Sequence, residues 1–268
     1  MVEEGVDTVE TIKENGNVEQ VDRYAYYKRV GCPKYFVAPM VDQSELPYRM
    51  LTRKYGAHIC YTPMFHAKLF STSEKYRNEA FTPCKEDRPL VVQFCANDPD
   101  ILLAAAKLVE GDADAVDINL GCPQGIAKRG QYGSYLLDKK ELIVSMVSKL
   151  HAELKIPVTC KIRCLPTEAQ TLDLALAIQE AGASLLTVHG RCKEHNKQRV
   201  GSANYAIIKK IKETLQIPVV ANGGISTFAD VKECLEMTGA DGVMSSESIL
   251  EYPALFDGDK IHDMDELA

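Results

Sequence analysis

The sequence predicts an α/β protein of the (β/α)8, or TIM, barrel class, on three observations. Short apolar runs rich in β-branched residues recur eight times, at 35–40, 58–64, 89–96, 115–121, 157–163, 184–190, 218–224 and 241–246. Segments with helical spacing lie between most of them, and strands that alternate with helices require parallel neighbours joined by crossovers. The spacing also repeats: Ile156-Pro157-Val158 returns as Ile217-Pro218-Val219, and Ala181-Gly182-Ala183 as Thr238-Gly239-Ala240. Eight such units closing on themselves form a barrel. The rival, an open doubly wound sheet, would place a Gly-x-Gly-x-x-Gly turn after the first strand. Ala38-Pro39-Met40-Val41-Asp42 has no glycine there.

The helical segments carry their own boundaries. Asp98, Thr167 and Thr227 stand at N-cap positions, and the segments they open run to Gly111, Gly182 and Gly239. A short oxygen-bearing side chain satisfies amides at a helix start, and glycine adopts the left-handed turn that ends one. Residues 1–22 lack hydrophobic periodicity and are acidic, which predicts a solvated tail. The barrel is expected over 23–256, followed by a second acidic tail over 257–268.

Composition narrows the function classes. The 268 residues are 46% hydrophobic, enough for a substantial core. No apolar run reaches the roughly 18 residues of a membrane helix, and the amino terminus is acidic where a secretory signal is basic and then apolar. Cytoplasm or nucleus is therefore expected, with no membrane partner. The nine cysteines fall at irregular positions with no Cys-x-x-Cys pair. They predict neither a disulfide framework nor a metal site, but mostly small buried thiols. The net charge of −7 is concentrated in the two tails, which leaves the body mildly basic and room for a polyanionic partner.

The carboxyl ends of barrel strands form the functional face, and polar chemistry concentrates there. The ends carry Pro39 and Met40, Gln93, then Asp117, Asn119 and Cys122, then Lys161 and Arg163, His189 and Arg191, Asn222-Gly223-Gly224, and Ser245-Ser246. Strand alternation sends Lys161 and Arg163 to one side and Cys160 and Ile162 to the other. A lysine in an apolar strand needs an anionic or hydrogen-bonding partner, and an internal ion pair with Asp117 is the bland explanation. The glycine loop after the seventh strand, with the serines after the eighth, occupies the usual phosphate corner of a barrel. Together with the amides of Gln93 and Asn119 and the central lysine, it suits FMN. His189 contacts cofactor or substrate, or is a satisfied core histidine. Cys122 is a packed thiol or a general acid on a rim loop, since a thiol is protonated at neutral pH yet able to donate. Metal binding is disfavoured by the lack of neighbouring ligands. The loop then runs Lys128-Arg129-Gly130-Gln131-Tyr132-Gly133, which suits phosphate contact and stacking on an unpaired base, or is simply solvated.

With these residues in place, residues 35–256 closely resemble the tRNA-dihydrouridine synthases. Ala38-Pro39-Met40, Asp117-x-Asn119-x-Gly121-Cys122-Pro123, Lys161-x-Arg163, His189-Gly190-Arg191 and Asn222-Gly223 follow the family's order and spacing. The surrounding text is most similar to the eukaryotic branch acting on D-loop positions 16 and 17. The resemblance implies an FMN-dependent enzyme that reduces uridine in tRNA with NADPH or NADH. It implies that Pro39, Met40, Val41, Gln93, Asn119, Lys161, His189, Asn222, Gly223, Gly224, Ser246 and Glu247 hold the flavin. Cys122 would be the proton donor, and Arg163, Arg191, Lys128 and Arg129 would contact substrate. The uracil would have to leave its stack to reach the flavin.

Two departures accompany the resemblance. Ser246-Glu247 stands where many members have glycine-arginine, and the barrel is expected to lack the family's C-terminal helical domain, which should weaken tRNA binding more than flavin binding. A monomer is expected. Two other functions compete: a flavin oxidoreductase acting on a small molecule, of the dihydroorotate dehydrogenase or old yellow enzyme kind, and a catalytically impaired RNA- or protein-binding fragment. Turnover of free orotate or an enone would favour the first, and bound flavin without product on tRNA the second.

Overall fold

The computed structural model describes residues 22–194, 201–258, 260 and 262, and the backbone of residues 11–14 and 17–20. Eight strands close a barrel: β1 (Tyr35–Val37), β2 (Ile59–Tyr61), β3 (Leu90–Cys95), β4 (Ala115–Leu120), β5 (Val158–Cys164), β6 (Leu186–Cys192), β7 (Val219–Asn222) and β8 (Gly242–Ser245). Every neighbouring pair is parallel, in sequence order around the ring. The ring shuts where Val243 of β8 pairs with Tyr35 of β1. A two-residue strand, Phe65–His66, lies along the upper part of β3. Within the segment expected to be a tail, Thr11–Glu14 pairs antiparallel with Asn17–Gln20. The C-terminal tail falls mostly outside the described residues.

Several strands are shorter than the apolar runs that announced them. β1 stops at Val37, so Pro39 and Met40 lie in the loop above it, and β7 stops at Asn222, which leaves Gly223 and Gly224 beyond the sheet. The helix caps are where the residue types placed them. Asp98 accepts the amides of Asp100 and Ile101, both at 2.9 Å. Thr167 with Gln170, and Thr227 with Asp230, form reciprocal capping boxes. Gly239 is the left-handed C-cap of its helix, Phe228–Thr238. The helix opened by Asp98 ends at Lys107, short of Gly111, and continues as turns.

Two apolar layers follow from strand alternation. Outward-facing residues such as Cys160 and Ile162 join the shell between strands and helices. Inward-facing Phe36, Ile59, Tyr61, Val91, Ala115, Val220 and Met244 fill the lower barrel, together with Tyr26 and Tyr27 from the helix Ala25–Arg29. The Tyr27 hydroxyl donates to Pro33 O at 2.9 Å and Asp241 O at 2.8 Å, which ties that helix to the chain around β1 and β8. Higher along the same strands the inward positions turn polar, at Gln93, Asp117, Asn119, Thr159, Lys161 and Asn222, so the barrel has an apolar floor and a polar mouth.

A second device braces one side of that mouth. Asp87, wholly buried before β3, accepts from Arg49 Nε at 2.8 Å and Arg53 Nε at 2.9 Å on the helix Leu46–Lys54. Arg49 also donates to Ser44 O at 2.7 Å, and Arg53 to Pro89 O at 2.7 Å. Removing the shared carboxylate leaves a buried guanidinium without its counter-charge. Asp87→Ala is therefore expected to lower stability by about 3–5 kcal/mol, read from urea unfolding.

Candidate active site

The mouth is organised around a buried carboxylate that serves as an acceptor. Asp117 on β4 receives Gln93 Nε2 of β3 at 2.8 Å on one oxygen and Thr159 Oγ1 of β5 at 2.6 Å on the other. Because Gln93 must turn its NH2 toward Asp117, its Oε1 faces Asn119, whose Nδ2 donates at 2.8 Å. Asn119 is left with its oxygen toward the loop, where it accepts Gly121 N at 3.1 Å and Cys122 N at 3.0 Å. Three strands and the thiol loop thus share one directional chain of hydrogen bonds. Burial pushes the Asp117 carboxyl up to about 6, against the opposing bonds from Thr159 and Gln93 and the charge of Lys161.

Lys161 and Arg163 lie on the same side of β5, as alternation requires. The partner of Lys161 is Asn222, whose Oδ1 receives Nζ at 2.9 Å, while Asn222 Nδ2 donates to Met244 O at 2.9 Å. The ion pair with Asp117 considered from the sequence does not form; Thr159 and Gln93 occupy the carboxylate instead. Burial draws Lys161 down to about 8, and the Arg163 charge adds to this. Arg163 donates through Nε to Gly121 O at 2.8 Å and through a terminal nitrogen to Cys192 O at 3.2 Å, which joins β5 to the thiol loop and to β6.

His189 is a neutral imidazole. Burial first, then Lys161, Arg163 and Arg191, draw it down to about 2. Its Nε2 lies 3.3 Å from an Arg191 terminal nitrogen, which can only donate, so the ring proton belongs on Nδ1. Arg191 also donates through Nε to Gly201 O at 2.7 Å.

The corner expected to hold a phosphate is built from glycine backbone. Gly223 and Gly224 have φ of +103° and +78°. A Cβ on Gly223 would come within 2.9 Å of the His189 ring, and one on Gly224 within 3.0 Å of the Tyr205 hydroxyl. Tyr205 in turn donates to Gly223 O at 3.1 Å. At the helix start behind this loop, Asp230 takes the amides of Ser226 and Thr227 at 2.9 and 2.7 Å, so neither is open to a ligand. Ser245 is likewise occupied, donating to Ile225 O at 3.1 Å. The cradle falls to the two glycines and half-exposed Ser246; Glu247 is exposed at the start of a short helix, Glu247–Glu251.

Around the opening, Cys122, Pro39 and Met40 are half-exposed and Val41 is exposed. Lys128 and Arg129 are exposed on the helix Gly125–Gly130. Tyr132 corrects an expectation. It is buried, packs with Cys95 and meets the His66 ring edge-on at 5.8 Å, so it is core and offers no face to a base. All nine cysteines are free thiols. Among the described residues, no group of three or more His, Cys, Asp or Glu side chains is placed to hold a metal ion. Sequence reasoning passed over Asp117 as a hub, although its i, i+2 placement with Asn119 was visible. Thr159 and Tyr205 carried no signal.

Fold and site together define a class: a parallel (β/α)8 barrel that pairs a glycine loop of positive φ after β7 with a half-buried lysine and a rim thiol. Within it, the chain belongs to the dihydrouridine synthase family, whose model, "Dihydrouridine synthase (Dus)", matches residues 36–267. It is 51% identical over 235 residues to the tRNA-dihydrouridine(16/17) synthase [NAD(P)(+)] of Schizosaccharomyces pombe, a match covering 86% of this chain and 59% of that protein. The Saccharomyces cerevisiae protein of the same name is 50% identical over 247 residues, 90% of this chain and 58% of its own. A mouse tRNA-dihydrouridine(20a/20b) synthase [NAD(P)+]-like protein is 44% identical, with 82% and 68% covered. The chain thus spans less than two thirds of the length of the yeast relatives. Among solved structures, the FabK (M276A) mutant from Thermotoga maritima shares the fold at a TM-score of 0.52 and 13% identity, covering 84% of this chain and 64% of that one.

The raised Asp117 carboxyl has a stability signature. A folded-state value above the unfolded one means that its contribution is fully present below the ordinary carboxylate range and is lost as pH rises through about 6. Asp117→Asn lacks that loss. The melting temperature of the variant is expected to gain on the parent between about pH 4 and pH 7, as measured by thermal denaturation in matched buffers.

Proposed function

We propose that this chain carries the catalytic barrel of an FMN-dependent tRNA-dihydrouridine synthase. It reduces the C5=C6 bond of D-loop uracils, at positions 16 and 17, at the expense of NADPH or NADH. The observation that carries this reading is the half-exposed Cys122 thiol, held by its backbone amide to the same hydrogen-bond chain that orients Gln93 and Asn119. Names of the yeast relatives support the position and the reductant, since identity to the 16/17 enzymes is 51% and 50% against 44% for the 20a/20b protein.

The residues fit FMN. Gly223 and Gly224 leave the space that a Cβ would fill, and a phosphate suits their positive-φ backbone. Gln93 and Asn119, each with one amide N–H beyond the bonds described, would meet the polar edge of the ring, and Lys161 would stabilise negative charge there. When bound, FMN supplies the hydride chemistry that links the nicotinamide to C6 of uracil.

The chain's own residues do the rest. Cys122 delivers its proton from Sγ to C5 of the uracil and regains one from solvent. Arg191 and Arg163 place positive charge beside the substrate carbonyls, and neutral His189 contributes an Nδ1–H donor. Lys128 and Arg129 meet phosphates of the tRNA approaching the mouth.

Purified chain incubated with unmodified tRNA and NADPH is expected to be yellow and to form dihydrouridine at positions 16 and 17. Cys122→Ala should keep its colour and lose about 10²–10⁴-fold in rate, the usual contribution of a positioned general acid. Equal product from both proteins would exclude Cys122 as the donor, and a colourless chain would exclude FMN. Gly223→Ala forces a side chain into a φ of +103° and against His189. It should purify with less flavin per chain, as read from the visible absorbance ratio.

A further inference from the structure

The thiol loop is gripped from its far side by residues to which no function has been given. Downstream of Cys122 the chain forms a short 3-10 turn, Gly133–Leu136, anchored in the main core by fully buried Leu136. Two donors from this turn converge on one acceptor. The Ser134 amide reaches Cys122 O at 3.0 Å, and the Ser134 hydroxyl reaches the same oxygen at 2.9 Å. The next residue holds the next carbonyl: Tyr135 OH donates to Pro123 O at 3.0 Å. Gly133, at φ +64°, comes so close that a Cβ there would lie 2.7 Å from Cys122 O and 3.0 Å from Cys122 Cβ. On the opposite side Asn119 Oδ1 accepts the Cys122 amide at 3.0 Å.

A carbonyl oxygen accepts through two lone pairs, and at Cys122 both donors come from Ser134, which fixes the direction of that carbonyl. With its N–H and its C=O both held, the peptide on each side of Cys122 has a fixed plane, and the Cα–Cβ bond a fixed direction. The only freedom left to the thiol is the choice among χ1 rotamers. A proton donor gains from such confinement because misplacement by about 1 Å can cost on the order of 10²-fold in rate.

We propose that Ser134 and Tyr135 are positioning residues for the Cys122 thiol, holding the two consecutive carbonyls of the Cys122-Pro123 loop so that Sγ keeps one direction into the barrel mouth. The inference rests on the reading of Cys122 as the proton donor. Neither residue touches the reacting atoms; both act through the backbone of Cys122.

The test is the double variant Ser134→Ala/Tyr135→Phe in the flavin-loaded full chain. Both changes delete a hydroxyl and leave in place the Ser134 amide that bonds to Cys122 O. The expected result is a fall in kcat of about 10²-fold, with KM for tRNA and flavin content unchanged. Independently of turnover, the iodoacetamide modification rate of Cys122, resolved by peptide mass, should change several-fold relative to Cys192, the internal control, since both thiols are half-exposed. An unchanged Cys122-to-Cys192 ratio overturns the proposal, whether or not stability falls. If the parent chain forms no dihydrouridine at all, the functional reading fails on its own, and the modification ratio still decides whether the turn orients the thiol.

Discussion

A carboxylate enclosed by a parallel barrel has no water to turn to, and Asp117 meets that constraint by drawing one donor from each neighbouring strand. The consequence spreads because carboxamides have two unlike ends. Once Gln93 gives its NH2 to Asp117, its oxygen must face Asn119, and Asn119 must then face the Gly121 and Cys122 amides with its own oxygen. Neither the Gln93 nor the Asn119 carboxamide can turn over without opposing two donors or two acceptors. The direction in which the thiol loop leaves β4 is therefore written, bond by bond, from a single charge below it. The energetic cost is visible in the carboxyl itself, which burial holds near the point of protonation.

The same economy governs the cations. Lys161, Arg163 and Arg191 rise from β5 and β6 in a confined mouth, where like charges repel. Each is given a neutral acceptor: Asn222 Oδ1, the Gly121 and Cys192 carbonyls, and the Gly201 carbonyl with His189 Nε2. Among the described residues no carboxylate ion-pairs with Lys161, whose hydrogen-bond partner is the neutral Asn222, although the Asp117 charge is felt nearby. His189, surrounded by these cations, stays uncharged and acts as a hydrogen-bonding group.

Much of this was legible in the residues. Periodicity located the eight strands, cap residues located the helix starts, and period-two alternation placed Lys161 and Arg163 together on the inside. The site residues of β3 to β7 do converge on one mouth. The misreadings share a physical cause, since a local pattern names what a side chain can do and not what its neighbours have already used. Tyr132 read as a stacking platform or as part of a solvated loop, yet packing against Cys95 and His66 claims its ring. Ser245 looked like part of a phosphate corner, yet its hydroxyl is spent on Ile225 O, and Asp230 takes the amides of Ser226 and Thr227 behind the glycine loop. Ser134 and Tyr135 carried no signal because their partners are carbonyls, and every residue has one.

By itself, then, the sequence determined the architecture and the inventory: a closed parallel barrel with a lysine, carboxamides, glycines and a cysteine at its strand ends. Those follow from short-range physics, the alternation of strands, the conformational demands of caps and the freedom of glycine. Tertiary structure decided the pairings. Whether Lys161 meets Asp117 or Asn222, which way each amide points and what fixes the Cys122 peptide all depend on register between strands far apart in the chain. A difference of a few ångströms there selects one partner over another.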